Sequence, residues 1–416
     1  MQALATSASS VAAATPDGDA QRRPAVPAAA PTEVEVAIVG AGHAGVECAW
    51  ALRSAGLAGA ILLLGDEPHL PYERPPLSKG LLAGATDAQR MALRAQAAYD
   101  KAAVFCELDD PVVRLDVATR QLQRRSGAVV RYRDCVLATG ARARRLPELS
   151  GAGVHVVRRL DDSMALRGAL APGRQLLVVG GGYLGLEAAC TARRLGADAT
   201  VIEQGPALMG GKVSAATAER LAALHREAGV TLHLGTRIAT WRRVGARWQA
   251  ELADGRLIEA DEVLVSVGAE AEDTLAREAG LACDGGIVIG PDCRSSDPHV
   301  FAIGDCASAH RPQLGRHARV ESVQNAQSQA RIAAAAITGQ APPAQRAPTF
   351  WSEQQGRRLQ MAGLVHPDLP CIDLVTETAK GWLVERQQDG RLVALEAVDS
   401  PADFVRGIAR LNAAAA

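Results

Sequence analysis

Val36-Ala37-Ile38-Val39-Gly40-Ala41-Gly42-His43-Ala44-Gly45 is a short apolar strand that breaks into G-x-G-x-x-G and continues as a helix. A second stretch of the same kind follows, Leu177-Val178-Val179-Gly180-Gly181-Gly182-Tyr183-Leu184-Gly185-Leu186-Glu187. In such a motif the first glycine permits a tight turn and the second lets backbone approach a pyrophosphate. The third lets helix pack on strand, and the helix N-terminus supplies the partial positive charge. One copy is weak evidence, because Gly-rich turns also close ordinary strand–helix units. Two copies in strand–turn–helix context point to one chain holding two dinucleotides.

Acidic residues downstream sharpen the reading. The strand Ile61-Leu62-Leu63-Leu64 runs into Gly65-Asp66-Glu67, and Ala199-Thr200-Val201-Ile202 ends in Glu203. Each acid lies about 20 residues past its glycines, where a ribose hydroxyl donates to it. Gln204, Gly205 and Pro206 follow Glu203 with no nearby cation for a 2′-phosphate, so the second site is expected to prefer NADH over NADPH.

Composition narrows the class. The chain has 416 residues, 48% of them hydrophobic, and a formal net charge of −1. That is ample for two or three domains, and the lack of a basic bias argues against nucleic acid as main partner. No apolar run reaches the roughly 18 residues of a membrane span. Residues 1–32, rich in Ala and Pro, read as a disordered extension without the apolar core of a secretory signal. The expected setting is cytoplasmic. None of the eight cysteines forms C-x-x-C, and no zinc spacing occurs. The loop Leu70-Pro71-Tyr72-Glu73-Arg74-Pro75-Pro76-Leu77-Ser78-Lys79 contains no cysteine either. Electrons taken from a dinucleotide must therefore leave for an acceptor outside the chain.

Further strands are expected at 133–140, 262–268 and 300–303, and helices at 46–55, 161–170 and 321–336. The proline-rich stretch 339–348 reads as a linker to a C-terminal α+β domain. These elements, in this order, resemble the FAD-dependent, NADH-using ferredoxin reductases of the glutathione-reductase fold. That group includes the reductase components of aromatic-ring dioxygenases. The resemblance rests on Pro71 to Lys79, Ala138-Thr139-Gly140-Ala141-Arg142, Gly180 to Glu187, Ala302-Ile303-Gly304-Asp305-Cys306, Val320-Glu321-Ser322-Val323 with Asn325-Ala326, and Phe350-Trp351-Ser352. It covers roughly residues 33–411.

The resemblance implies an α/β fold with two Rossmann-like domains and a C-terminal α+β domain. FAD is expected on 33–142 with 271–337, NAD on 143–270, and the C-terminal domain over 338–416. Gly40, Gly42, Ala44, Gly45 and Asp66 are expected to hold the ADP half of FAD. Arg74, Val112, Arg158, Asp305, Val323 and Trp351 match positions near the rest of it. Gly180, Gly182, Gly185, Glu203 and Gly268 are expected to serve NADH. Lys79 matches a lysine beside flavin N5, Glu187 the glutamate that pairs with it, and Tyr183 a tyrosine covering the nicotinamide face. Departures occur at Ala143 and Gln324, where relatives usually have proline, and at Met209-Gly210-Gly211-Lys212 and Ala269-Glu270-Ala271-Glu272. The last two lie in the NAD half.

The implied reaction passes hydride from NADH to FAD and then single electrons to a [2Fe–2S] ferredoxin serving an oxygenase, by a monomer or homodimer. Docking candidates are His310, Arg311, Arg316, His317, Arg319 and Arg331. Alternatives on the same fold are a rubredoxin or quinone reductase, an NADH oxidase, and a flavin-bound redox-responsive binding protein with little turnover. Fast reduction of a ferredoxin separates the first reading from these.

Overall fold

The computed structural model describes residues 31–415. The extension expected over 1–32 lies, but for its last two residues, outside them. The strand Glu33–Val39 sits between two parallel neighbours, Ile61–Leu64 and Val129–Leu137, and Val104–Glu107 extends the sheet beyond Ile61–Leu64. Ile61 to Leu64 are all buried, as expected of a parallel strand covered on both faces. At one end Val129–Leu137 pairs antiparallel with Gln121–Arg124, which in turn pairs antiparallel with Val112–Asp116. At the other it receives Val300–Ala302 in parallel.

The second unit repeats the plan. Its parallel sheet runs in the order Thr231–Leu234, Asp198–Glu203, Gln175–Val179, Glu262–Val265, Val154–His155. The helix Tyr183–Arg194 links the strands Gln175–Val179 and Asp198–Glu203, as His43–Ser54 links Glu33–Val39 and Ile61–Leu64. Two three-residue strands, Ala141–Ala143 and Ala269–Ala271, pair antiparallel where the chain leaves the first unit and where it returns.

Boundaries differ from the expected ones for local reasons. The first helix begins at His43 rather than Val46, because the fingerprint residues themselves form its opening turn. The Ala-rich helix spans Val323–Thr338, two residues later than expected. Ser322 caps it by accepting from Asn325 N, and Gly339, at φ 69°, ends it. The strand expected to reach Gly140 stops at Leu137, because Ala138 turns its carbonyl toward Gly40.

Beyond residue 348 a five-stranded antiparallel sheet forms in the order Thr349–Gln354, Arg357–Gly363, Arg391–Val398, Trp382–Gln388, Ile372–Glu377. One face carries Phe404 and Leu411 of the helix Pro401–Ala415. The other brings Leu359, Trp382, Val384 and Val398 into one core with Leu186 and Leu221 of the second unit. A buried polar contact fixes the same seam. Glu396, 2% exposed, accepts from Ser214 N at 2.6 Å and Ser214 Oγ at 2.7 Å, and Arg386 lies 3.4 Å away. Ser214 is the N-cap of the helix Ala215–Glu227, so the carboxylate also meets the positive end of that helix. Glu396→Ala leaves Ser214 N and Oγ without their buried acceptor, while Arg386 keeps Asp373 at 2.9 Å. It is expected to lower stability by about 1–3 kcal/mol, read as a shift in the urea midpoint.

Candidate functional site

The two fingerprints fold alike down to individual contacts. Gly40 and Gly180 have φ of 113° and 105°, a region side chains avoid. A Cβ on Gly40 would stand 2.2 Å from Ala138 O, and one on Gly180 2.4 Å from Ser266 O. A Cβ on Gly45 would meet Gly40 O at 2.0 Å, and one on Gly185 would meet Gly180 O at 2.4 Å. The middle glycines behave in the opposite way. Gly42 and Gly182 are N-caps with no side-chain hydrogen bond to the helix; a Cβ on Gly182 would meet nothing within 4 Å, and one on Gly42 only Arg74 Nε at 4.0 Å. Helices 215–227 and 323–338, by contrast, are capped by serines. Both fingerprint helices thus keep their first N–H groups free for an anion, and a pyrophosphate fits both places.

Beyond the first fingerprint a small cavity is lined by Ala41, Asp66, Glu67, His69, Tyr72 and Arg74, among others. Asp66 is exposed and pairs with Arg159. Glu67 accepts from Tyr72 Oη at 2.6 Å and pairs with Arg74 at 2.9 Å. Arg74 also donates to Arg158 O at 2.7 Å, and Arg158 pairs with Asp305 at 2.9 Å. Two arginines and two carboxylates therefore run as a chain from the cavity to the Asp305 turn. His43, in the first helical turn, is pushed down to about 4 by burial and then by Arg74, and is neutral at physiological pH. Ala44 packs against that turn, since a Cβ on Gly304 would lie 3.0 Å from its own. Val323 is the first residue of the helix whose Gln329 accepts from Gly304 N at 2.8 Å. Val112 is buried in its strand and does not line the cavity; Leu108 lines it instead. Glu67, Tyr72, His43 and Leu108 were not singled out in the sequence.

In the second unit Glu203 accepts from Gly181 N at 2.8 Å and Gly205 N at 2.7 Å. Its carboxylate is thus held against the fingerprint turn. Gly268, at φ 102°, leaves open space beside its Cα. The departure at 209–212 accommodates itself through positive φ at Met209, Gly210 and Gly211, with Met209 N donating to Gly181 O at 2.8 Å. Lys212 Nζ lies 5.8 Å from the centroid of the Tyr183 ring. Tyr183 also stacks at 4.7 Å on Phe350 and reaches Met361 Sδ at 3.3 Å. Burial pushes its phenol well above the ordinary value.

Between the two units lies an ion pair. Pro75–Ser78 forms a proline-stiffened turn that delivers Lys79, whose Nζ is 2.7 Å from Glu187 Oε2. Side-chain exposure is 17% for Lys79 and 7% for Glu187, so the pair is largely dry. Ser78 Oγ donates to Glu187 Oε2 at 2.6 Å, and Ser352 Oγ donates to Oε1. The Trp351 ring centroid lies 5.2 Å from Lys79 Nζ and 5.4 Å from the Arg358 guanidinium carbon. Two remote segments therefore converge on one carboxylate carried by a third.

The basic residues after Asp305 do not form one free patch. Arg311 turns inward to Asn325 Oδ1 at 3.2 Å. Arg319 pairs with Glu321 at 2.8 Å and also donates to Ala269 O. Arg331 pairs with Glu47 at 2.7 Å. His310 and Arg316 are exposed, and the rings of His310 and His317 face each other at 5.6 Å across a hairpin. Strand alternation accounts for Arg311 pointing away from its exposed neighbour His310.

All eight cysteines are free thiols. Burial raises Cys106 to about 11 and Cys293 to about 12, and raises Cys48 and Cys135 further. Among the described residues no cluster of three or more potential ligands could hold a metal ion, and no helix is long and apolar enough to cross a membrane.

Residues 34–330 match the pyridine nucleotide-disulphide oxidoreductase family, and residues 349–416 match the reductase C-terminal family. The biphenyl dioxygenase system ferredoxin–NAD(+) reductase component of Paraburkholderia xenovorans (strain LB400) is 40% identical over 372 residues, 89% of this chain and 91% of its own. The rubredoxin–NAD(+) reductase of Pseudomonas putida is 37% identical, covering 88% of this chain and 96% of its own. Among solved structures, putidaredoxin reductase in its covalent complex with putidaredoxin superposes with a TM-score of 0.86. It shares 34% identity, over 91% of this chain and 93% of that one.

Proposed function

Because the chain belongs to the pyridine nucleotide-disulphide oxidoreductase family, we propose that it is an FAD-dependent NADH:ferredoxin reductase that feeds an oxygenase, either a Rieske dioxygenase or a cytochrome P450. The observation that carries this reading is the pair of congruent, uncapped fingerprint helices, the second of which carries Glu187 of the Lys79–Glu187 ion pair. The family name includes disulphide chemistry, but the free, mostly buried thiols leave no internal acceptor.

Residues 33–142 and 271–337 hold FAD, 143–270 hold NADH, and 338–416 close the site. Gly40, Gly42, Ala44 and Gly45 bring backbone and a helix N-terminus to the FAD pyrophosphate. Asp66 and Glu67 serve its adenosine side, while Arg74, Arg158 and Asp305 continue toward the ring. Bound FAD supplies what no side chain here can, accepting two electrons at once and giving them up singly. Gly180, Gly182 and Gly185 hold the NADH pyrophosphate, Glu203 faces the adenosine ribose, and Gly268 leaves room beside it. Tyr183 covers the nicotinamide place until NADH arrives. Lys79 keeps a positive charge beside the ring, Glu187 holds Lys79 in place, and Trp351 with Phe350 excludes water.

The acceptor is a small acidic [2Fe–2S] ferredoxin, attracted by exposed cations such as Arg316 and Arg358. Working on NADH, the enzyme belongs in the cytoplasm. Anaerobic stopped-flow mixing tests the reading. NADH should bleach the yellow protein fast, NADPH slowly, and a [2Fe–2S] ferredoxin should restore the colour. Restoration by rubredoxin alone would move the acceptor to that class, in line with the rubredoxin reductase relative. No bleaching by NADH would sink the reading.

Nucleotide choice rests on Glu203. Glu203→Ala removes one charge-assisted acceptor and one repulsive charge. The expected result is an NADH KM about tenfold higher, a loss of about 1.4 kcal/mol, with NADPH turnover unchanged or improved. Equal losses for both nucleotides would refute the role.

A further inference from the structure

The Glu187 carboxylate receives more than its lysine. Ser78 Oγ reaches Oε2 at 2.6 Å, while Ser352 Oγ and, at 3.4 Å, Glu353 N reach Oε1. Behind Ser352 lies a buried chain of polar groups. Gln354 Nε2 donates to Ser352 Oγ at 2.8 Å and to Tyr183 O at 3.2 Å. Gln354 Oε1 lies 2.9 Å from His225 Nε2, and Gln355 Nε2 lies 3.5 Å from His225 Nδ1. Ser352, Gln354 and His225 are each 0% exposed.

The polarity of this chain is determined by groups that can only accept. A carboxylate cannot donate, so the Ser352 hydroxyl gives its proton to Glu187 and accepts from Gln354. The Tyr183 carbonyl cannot donate either, so the Gln354 amide nitrogen faces it and the amide oxygen faces His225. His225 must then carry its proton on Nε2, leaving Nδ1 to accept from Gln355. Burial pushes His225 below its ordinary value, which keeps it the neutral tautomer this order requires. From Gln355 through His225, Gln354 and Ser352, each group donates to the next one toward Glu187, and Gln354 gives its other N–H to Tyr183 O. The groups come from the loop ending at Lys79, the helix Tyr183–Arg194, the strand Thr349–Gln354 and the helix Ala215–Glu227.

A carboxylate in a largely buried site keeps one orientation only where donors besides its counter-ion fix it. Glu187 has three such donors besides Lys79. We infer that Ser352 and Gln354, braced by His225, are positioning residues that hold the Glu187 carboxylate on Lys79 Nζ and thereby hold the Lys79 ammonium in place beside the flavin ring. This rests on the placement of Lys79 at the flavin proposed above. The C-terminal sheet thus acts on the redox centre through two residues, Ser352 and Gln354, that need not touch the cofactor.

The test uses purified holoenzyme and reads the flavin midpoint potential by anaerobic dye equilibration, alongside single-turnover bleaching by NADH. Lys79→Met serves as the reference for a lost positive charge. Ser352→Ala and Gln354→Met are expected to keep FAD and its visible spectrum. Both should move the potential in the same negative direction as Lys79→Met and slow bleaching about tenfold, with the NADH KM within about twofold of wild type. Ser352→Thr, which keeps the hydroxyl, should restore the potential. If Lys79→Met shifts the potential while Ser352→Ala and Gln354→Met stay at the wild-type value, the positioning role is overturned. If Lys79→Met itself leaves the potential unmoved, the placement of Lys79 at the flavin fails, and the inference fails with it.

Discussion

Gly180→Ala is expected to yield a yellow protein that NADH no longer bleaches at a useful rate, while Gly40→Ala yields a protein that does not retain its yellow cofactor. The new methyl on Gly180 would sit 2.4 Å from Ser266 O, at a φ of 105° that alanine rarely adopts. Neither contact partner is a flexible side-chain end, so the turn must open. Opening it pulls the first N–H groups of the helix Tyr183–Arg194 away from the place proposed for the pyrophosphate of NADH. Losing two charge-assisted hydrogen bonds at about 1.5–3 kcal/mol each corresponds to at least a hundredfold fall in bleaching at fixed NADH. On Gly40 the methyl would sit 2.2 Å from Ala138 O, and the same loss falls on FAD. The ratio of flavin to protein absorbance and a stopped-flow trace read both outcomes. A colourless Gly180→Ala and a yellow Gly40→Ala would reverse the assignment of the two sites.

Glu187→Ala is the second large effect. It leaves Lys79 without an anion in a site where the lysine side chain is 17% exposed, and it strips Ser78 and Ser352 of their acceptor. Removing one partner of a buried pair typically costs about 3–5 kcal/mol. The thermal midpoint should fall by several degrees, and more steeply for the alanine variant than for Glu187→Gln, which keeps the shape and one acceptor. Bleaching by NADH should slow by about a hundredfold or more, because Lys79 loses the anion that holds it in place. An alanine variant that melts and bleaches like wild type would show the pair to be ornamental.

What could be read in advance was local. The strand, three glycines and acid of each fingerprint lie within a short window, and their spacing reflects one physical task. Lys79 and Glu187, with Ser78 beside the lysine 109 positions from the glutamate, were paired only through family resemblance, because nothing in either segment specifies the other. The Ser352 contact spans 165 positions and the Gln354–His225 contact 129, and neither residue type signals its partner. Ser352 resembles any serine in an edge strand until the helix Tyr183–Arg194 is packed beside it. The arginines after Asp305 illustrate the same limit. Their sequence reads as a cationic run, but Arg311 and Arg319 are engaged by Asn325 and Glu321, which a linear reading cannot orient. The first helix starts earlier than expected for a simpler reason, since a glycine turn and the first helical turn share residues.

The ribbon of Ala141–Ala143 against Ala269–Ala271 has a consequence for how such a chain can be altered. Exit and return lie side by side, so the intervening segment is an insert with adjacent ends, the arrangement that tolerates excision and transplantation. A cassette of different nucleotide preference could be spliced between the two short strands without lengthening either connection. The host half would see the same two-stranded stem. A cassette that keeps Glu187, Ser214 and the apolar face carrying Leu186 and Leu221 would also meet the C-terminal sheet as before, and donor preference would then be a property that recombination can exchange whole.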